Sequence, residues 1–332
     1  MVTYIIRRLL TMIPILVAIS IITFIIIQLP PGDFLTSYVA ELSMSGESVD
    51  QAELNALKSR FGLDQPIYMQ YFHWAWNFLH GDFGHSFEWN KPVSELIGER
   101  LGLTILISIA TLLFTWAVSL PIGIYSAVRQ YSWVDHFLTF IGFIGLATPN
   151  FLFALILLWV SYAYLGMNVG GLFSPEYADL PWSLAKVWDL LKHLWIPVVI
   201  VGTAHTAKFI RIIRGNLLDE LKKPYVTTAR AKGLTEVHLI LKYPVRVAIN
   251  PLVSTIGWTL PELVSGIAIT AVVLNLPTTG PLLLNALLSQ DMQLAGSFIM
   301  LLSVLTVVGT LISDILLAWV DPRIRFGARE SI

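Results

Sequence analysis

Cysteine is absent from this chain of 332 residues, and charged residues make up only 13% of it. The lack of cysteine excludes disulfide bonds, thiolate metal sites and cysteine nucleophiles. An average soluble domain contains about 25% charged residues. A chain of this length with 55% hydrophobic residues therefore has the composition of a membrane protein. The net charge of −1 gives no electrostatic reason to expect nucleic acid as a partner.

Several catalytic and nucleotide-binding motifs are also missing. The sequence has no G-x-x-x-x-G-K-[ST] loop, so the chain is not expected to bind ATP itself. It has no H-E-x-x-H or G-x-S-x-G pattern, which leaves no recognisable metallopeptidase or serine hydrolase site. We therefore predict a protein that is not an enzyme and has no catalytic residue, metal site or cofactor of its own.

Long runs with few charges predict the architecture. A helix that crosses a bilayer needs about 20 apolar residues, because its backbone polar groups must be paired inside the segment. Six runs are candidates: 9–29, 101–128, 137–165, 194–207, 247–276 and 294–320. The fourth is short but continues through Lys208, Arg211 and Arg214, whose spacing of three places their charges near one helix face. We predict an all-α membrane protein with six transmembrane helices.

The positions of Lys and Arg predict how these helices are oriented. With a cytoplasmic amino terminus, fifteen of the 21 basic residues fall in inner segments and six in outer segments. Basic residues stay on the cytoplasmic side, so both termini are expected there. The chain then divides into residues 1–30 with the first helix, an extracytoplasmic helical segment at 31–100, and a core at 101–332 with helices 2 to 6. An inner loop at 215–246 belongs to this core.

The extracytoplasmic segment carries two patterns. The first predicts a helix by a capping box, an apolar repeat and a glycine stop. Its residues are Ser48, Gln51, Leu54, Leu57, Phe61 and Gly62. The second is a group of six aromatic residues between Tyr68 and Phe78. Such a group would stack on a sugar or form an interfacial belt, and we favour the belt.

The segment from Lys208 to Arg246 carries nine basic residues, and the inner loop within it has a regular pattern. Pro224 suits the first position of a helix, and a small or apolar stripe follows at spacings of 3, 4, 4 and 3. The stripe consists of Val226, Ala229, Gly233, Val237 and Ile240. Because glycine favours helix ends, we predict a short helix from Tyr225 to Lys232 and a second one from Thr235 onward.

Two interpretations of the first short helix are open. It would lie on the membrane surface if its basic residues served only to contact lipid. Alternatively, it would enter a groove of a partner protein, with Arg230 and Lys232 facing carboxylates at the rim. Small residues favour the groove because they allow close approach. They are Thr227, Thr228, Ala229 and Ala231.

This segment resembles a known sequence element. Its residues are Tyr225, Val226, Thr227, Thr228, Ala229, Arg230, Ala231, Lys232, Gly233 and Leu234, and Asn250-Pro251 follows downstream. The pattern resembles the EAA loop of permease subunits in binding-protein-dependent ABC importers of the dipeptide, oligopeptide and nickel branch. Other motifs similar to that branch occur in order: Arg7-Arg8-Leu9-Leu10, Pro31-Gly32-Asp33, Gly62-Leu63-Asp64-Gln65-Pro66, Gly81-Asp82-Phe83-Gly84 and Asp321-Pro322-Arg323-Ile324-Arg325.

The chain departs from the family pattern at a few positions. Thr227 stands where the general EAA pattern has Glu, and Thr228 replaces its first Ala. Ala271 stands where many relatives have Glu. The roles of those side chains in other members are therefore not carried over to this chain.

The resemblance implies a multi-subunit transporter in a prokaryotic inner membrane. Its partners would be a second related permease, two ATPase subunits and an extracytoplasmic solute-binding protein. The ATPase subunits would bind ATP and Mg, and the ten residues from Tyr225 to Leu234 would couple them to the membrane helices. The implied solutes are di- or oligopeptides, with oligosaccharides or nickel chelates as alternatives.

Two residues of the fifth run are candidates for the translocation pathway. Glu262 follows Pro261 near the middle of the run, where a charge is costly. It would either meet a solute in a cavity or be paired within the bundle at a proline kink. Asn275, near the end of the run, is the second candidate. A proton-coupled secondary carrier that uses Glu262 and Asp314 is the alternative from another class.

Overall fold

We describe a computed structural model of the chain, in which the described part is almost entirely helical. The described residues are 2–28, 64–86, 88–166, 170–178, 180–266, 268–289 and 291–320. The helix predicted from Ser48 to Gly62 lies outside them. The helices are α1 (Val2–Gln28), α2 (Ile67–Leu79), α3 (Val93–Val128), α4 (Trp133–Ala147), α5 (Asn150–Leu165), α6 (Leu184–Leu221), α7 (Pro224–Ala231), α8 (Glu236–Lys242), α9 (Pro244–Ala248), α10 (Asn250–Gly266), α11 (Ala268–Val273), α12 (Thr279–Leu288) and α13 (Met292–Val320).

Three described helices are long and apolar enough to cross a membrane. They are α3, α6 and α13, and a fourth span results if α4 and α5 count as one bent span. The predicted all-α membrane class is therefore confirmed. The number of six spans and the cytoplasmic location of both termini remain predictions.

The third predicted run is not one straight helix. Its two helices, α4 and α5, are bent by 104° at the break between them. Pro149 precedes α5, and Thr148 adopts an extended conformation with ψ 121°. Proline disfavours helical geometry in the residue before it, so the helix ends there. The run also begins earlier than predicted, because Ser132 caps α4 by accepting a hydrogen bond from the Asp135 amide at 3.1 Å.

Close contacts fix the directions of the long helices. A Cβ at Gly202 of α6 would lie 2.5 Å from the Phe114 ring of α3, and one at Gly123 would lie 2.8 Å from Ile213 Cβ. Residue numbers rise together along this contact, so α3 and α6 run in parallel. In contrast, α4 is antiparallel to α6, since Gly145 meets Thr203 whereas Asp135 binds Arg214. The end of α3, the start of α4 and the end of α6 therefore share one side of the bundle.

The segment before α3 is tied to the last helix by a buried carboxylate. Asp291 precedes α13 and is fully buried. Its side chain accepts hydrogen bonds from Ser86 Oγ, from the Glu88 amide at 3.3 Å and from the Leu294 amide at 3.1 Å. Ser297 Oγ also donates to the Phe83 carbonyl at 3.0 Å. Residues about 200 positions apart in the sequence thus form one cap over α13.

Aromatic residues connect α2 to the first helix. Tyr71 stacks edge-on against Phe24 with ring centroids 5.5 Å apart, and its hydroxyl lies 2.9 Å from Ser20 Oγ. The Trp74 ring also contacts Phe24. Tyr68, Phe72 and Trp76 are exposed. The interfacial belt stays a prediction, and one face of the aromatic group serves to attach α2 to α1.

Helices α10 and α13 cross at two glycines. A Cβ at Gly257 would lie 2.6 Å from the Thr310 Cα atom, and a Cβ at Gly309 would lie 3.1 Å from the Gly257 carbonyl oxygen. The obstructing atoms belong to the backbone, which cannot rotate away. Small residues at such crossings allow close helix packing in membranes.

We expect Gly257→Ala to destabilise the protein, because the new methyl group would force α10 and α13 apart. Overpacking of this kind costs about 1–3 kcal/mol. The change is measured as the thermal unfolding midpoint of the purified protein in detergent. Gly102→Ala is the matched control, since a Cβ there meets no heavy atom within 4 Å. Equal midpoints for the two variants would show that the crossing is not tightly packed.

Candidate coupling surface

The predicted pair of short helices is present in the segment 215–246, the predicted inner loop. Helix α7 begins at Pro224 and ends at Ala231, and α8 begins at Glu236 after the N-cap residue Thr235. Between them Gly233 has φ +80°. This left-handed conformation suits glycine, which lacks the Cβ that would be strained there. The predicted break at Gly233 is therefore confirmed.

One face of α7 packs inside the chain itself. Val226 is 0% exposed and Ala229 is 7% exposed. They form a cluster with Leu239, Ile240, Ile124, Leu221, Leu234 and Val245. The interpretation that Ala229 enters a partner's groove is therefore wrong, because its side chain is covered by this chain's own apolar residues.

The predicted stripe also does not continue into α8 as one surface. Val237 is 70% exposed, and Gly233 is exposed as well. The helical repeat applies only within a helix, and the turn at Gly233 changes the direction of the chain. The stripe members that share the buried cluster are Val226, Ala229 and Ile240.

The opposite face of α7 is exposed and consists of small side chains. Thr227, Thr228 and Ala231 lie on it, and Thr228 Oγ1 donates to the Pro224 carbonyl at 3.0 Å. Tyr225, Arg230 and Lys232 are exposed around it. We call the exposed residues Thr227, Thr228 and Ala231 the α7 outer face. It offers a shallow surface that another protein can approach closely.

An ion pair joins the two short helices across the glycine turn. Arg230 Nη2 donates to Glu236 Oε2 at 3.0 Å, and Arg230 Nε donates to Oε1. The hydrogen bond from Arg230 lowers the pKa of Glu236, so the pair is intact at neutral pH and is lost as the pH falls through that lowered pKa. Both side chains are exposed, so the pair orients α7 against α8 more than it stabilises the protein. Glu236 was not predicted from the sequence, although opposite charges on the two sides of a helix break were the available signal.

The helix pair is attached to the ends of two long helices. Ile124 of α3 and Leu221 of α6 belong to the cluster under Val226. Tyr225 Oη donates to Glu220 on the last turn of α6. Helix α7 therefore packs directly against the ends of α3 and α6.

The two candidate pathway residues lie in different environments. Glu262 is exposed on α10, directly after Pro261. Its carboxylate and the Lys208 ammonium both act electrostatically on the His205 imidazole of α6. Asn275 is exposed in a turn with φ +51°, a conformation that Asn tolerates better than most residues. The backbone accounts for Asn at this position, whereas among the described residues no hydrogen bond or ion pair accounts for a carboxylate at 262.

Within the described residues, no group of three or more His, Asp or Glu side chains is arranged to hold a metal ion. The inner-loop surface is built from hydroxyl, methyl and cationic groups, which suit contact with a protein.

Comparison with known families assigns the chain to one of them. Residues 119–326 match the family described as binding-protein-dependent transport system inner membrane component. Residues 1–110 match the amino-terminal part described for membrane components of the same systems.

The sequences of individual relatives align with almost the whole chain. The oligopeptide transport system permease protein AppB of Bacillus subtilis is 37% identical over 327 residues, which are 98% of this chain and 100% of the relative. A putative peptide permease of Brucella suis is 33% identical, covering 98% of this chain and 99% of the relative. The dipeptide transport system permease protein DppB of Escherichia coli K12 is 29% identical, with 98% and 99% covered. The chain therefore belongs to the family of inner-membrane components of binding-protein-dependent transport systems.

Proposed function

We propose that this chain is a permease subunit of an ATP-driven importer and that the α7 outer face receives movement from an ATPase subunit. The observation that carries the proposal is the construction of α7. One of its faces is packed against α8 and the ends of α3 and α6, whereas the opposite face is exposed and small. A lipid-lying helix would expose large apolar residues instead.

The mechanism follows from this attachment. Two ATPase subunits bind ATP and Mg and move on closing and reopening. A contact at α7 passes that movement to α3 and α6, because α7 is braced by packed side chains. Rigid-body rocking of packed helices alternates access to a central site. In this proposal a second related permease forms the other wall of the site, and an extracytoplasmic binding protein delivers the solute.

For the solute, we propose di- or oligopeptides. The support is that the relatives named above are oligopeptide, dipeptide and other peptide permeases, each matched over at least 98% of this chain. Oligosaccharides and nickel chelates are the alternatives that a transport assay with each class would distinguish.

We assign Glu262 to the translocation pathway. It is exposed on α10, which falls in the fifth predicted run, and a carboxylate within a membrane span is too costly to face lipid. An aqueous pathway between two permease subunits would hydrate it, and it would attract the amino terminus of a peptide. We place Asn275 only at the rim of this pathway, since its positive φ already accounts for an asparagine at this position.

We expect Glu262→Gln to lower peptide uptake about tenfold without changing stability. A hydrogen bond to a charged group contributes about 1.5–3 kcal/mol, and its loss weakens solute binding accordingly. The measurement is uptake of labelled peptides by cells that carry the complete transporter. Glu176→Gln, an exposed acid in the loop before α6, is the control. Uptake within twofold of wild type for Glu262→Gln would remove this residue from the pathway.

Affinity purification from the native host tests the proposed function. Solubilised chain should recover an ATPase subunit, and uptake in proteoliposomes should require ATP. Transport by the chain alone, driven by a pH gradient, would instead identify a proton-coupled secondary carrier. Failure to recover any ATPase subunit would overturn the proposal.

A further inference from the structure

A groove of about 580 Å³ lies between α4 and α6 and is not part of the coupling surface. Its lining is polar at one end, with Tyr131, Asp135, Arg211 and Arg214. Phe140, Phe143 and Leu146 line it further along α4. The groove thus has a charged end and an apolar body.

The polar end has an excess of positive charge. Arg214 Nη2 donates to Asp135 Oδ2 at 3.3 Å, while 28% of the Arg214 side chain remains exposed. Arg211 is exposed and forms no ion pair or hydrogen bond within the described part of the chain. The Arg211 guanidinium is therefore available to bind an anion beside the apolar surface.

Neighbouring aromatic residues indicate how deep in the membrane the polar end of the groove lies. Trp133 at the start of α4 is 92% exposed, and Tyr131 is 73% exposed. Tryptophan and tyrosine concentrate at the level of the lipid headgroups. Arg214 lies seven residues before the end of α6, which is about 10 Å along the helix. The cationic end of the groove therefore lies close to one membrane surface, and the groove extends from there towards the hydrocarbon.

We propose that this groove binds an anionic phospholipid of the adjacent leaflet. Arg211 and the exposed part of Arg214 hold the phosphate, and an acyl chain lies along Phe140, Phe143 and Leu146. Basic pockets between membrane helices bind anionic headgroups in this way. Phosphatidylglycerol fits the charge and the amphipathic lining. The bound lipid would fill the space beside the bend between α4 and α5.

Native mass spectrometry of the purified transporter tests this site. Washed protein is incubated with phosphatidylglycerol or with phosphatidylcholine of the same acyl chains. We expect preferential retention of phosphatidylglycerol and a loss of about fivefold in Arg211→Ala, since one basic residue near a surface contributes about that much. Arg211→Lys should retain most of the lipid. Lys192→Ala removes a cation from the same helix far from the groove and should bind lipid as wild type does.

Four results would overturn the proposal. Arg211→Ala could retain as much phosphatidylglycerol as the wild type, or the protein could retain both lipids equally. Displacement of the lipid by inorganic phosphate alone would show that the apolar groove contributes nothing. A structure of the assembled transporter with a helix of another subunit in the groove would assign the surface to protein contact.

Discussion

Ala231→Trp is expected to reduce uptake by the assembled transporter about tenfold or more while the chain remains folded in the membrane. Ala231 lies on the α7 outer face, so a tryptophan there meets solvent in the isolated chain. Against a closely docked partner, overpacking costs about 1–3 kcal/mol. Each 1.4 kcal/mol corresponds to a tenfold change in affinity. Peptide uptake and ATPase activity of the same preparation are the measurements.

A matched variant separates this effect from a general effect of a new tryptophan. Gln130→Trp places the same side chain at an exposed position after α3, on the same side of the bundle. It should leave uptake unchanged. Ala231→Ser, which keeps the side chain small, should also retain uptake. Normal uptake in Ala231→Trp would show that α7 is not a docking helix.

Asp291→Ala is expected to cause the largest loss of stability among the substitutions considered. The change leaves Ser86 Oγ and the amides of Glu88 and Leu294 without their acceptor. The bonds from Ser86 and Leu294 are buried, whereas the bond from Glu88 is partly exposed. A buried donor that loses its partner costs about 1–3 kcal/mol, so the total should reach about 3 kcal/mol or more. The helix α13 also loses a favourable negative charge at its amino terminus. Thermal unfolding in detergent is the measurement.

Asp219→Ala provides the control, because Asp219 is exposed near the end of α6. Its free energy of unfolding should lie within a few tenths of a kcal/mol of the wild-type value, as it does for most surface substitutions. Asp291→Asn should be intermediate, since its amide oxygen can still accept hydrogen bonds. A midpoint for Asp291→Ala equal to that of Asp219→Ala would mean that the cap over α13 carries little stability.

The local structure of the inner loop was predictable from the sequence. Pro224 can start a helix but not continue one, and Gly233 takes a backbone conformation that other residues avoid. These are properties of single residues and their neighbours. Both short helices therefore appear at the predicted positions.

The direction in which α7 faces was not predictable. Its small residues surround the helix, and the buried face is chosen by Ile124, Leu221 and Leu239, which come from other helices. The residue pattern predicted that Ala229 lies on the docking face, whereas packing within the chain buries its side chain. The exposed face carries Thr227, Thr228 and Ala231, the other three small residues predicted for the docking helix, and their coupling role stays a prediction.

Long-range contacts and helix bends were also missed. The hydrogen bond between Ser86 and Asp291 joins residues that are 205 positions apart, and no local sequence pattern predicts such a contact. The bend at Pro149 was within reach of sequence reasoning, because proline restricts Thr148. The bend was not predicted because the apolar run is uninterrupted at this position. A hydropathy pattern gives the length and composition of a run but not a change in the direction of its helix.

Cysteine scanning of the α7 outer face tests the coupling role most directly. The chain has no cysteine, so Ala231→Cys introduces a unique thiol, and Gln130→Cys provides the control. A benzophenone maleimide attached at position 231 should cross-link to an ATPase subunit in the assembled transporter, whereas the same reagent at position 130 should not. If position 231 gave no cross-link and reacted with a soluble maleimide equally fast with and without the ATPase subunits, α7 would not be the coupling element.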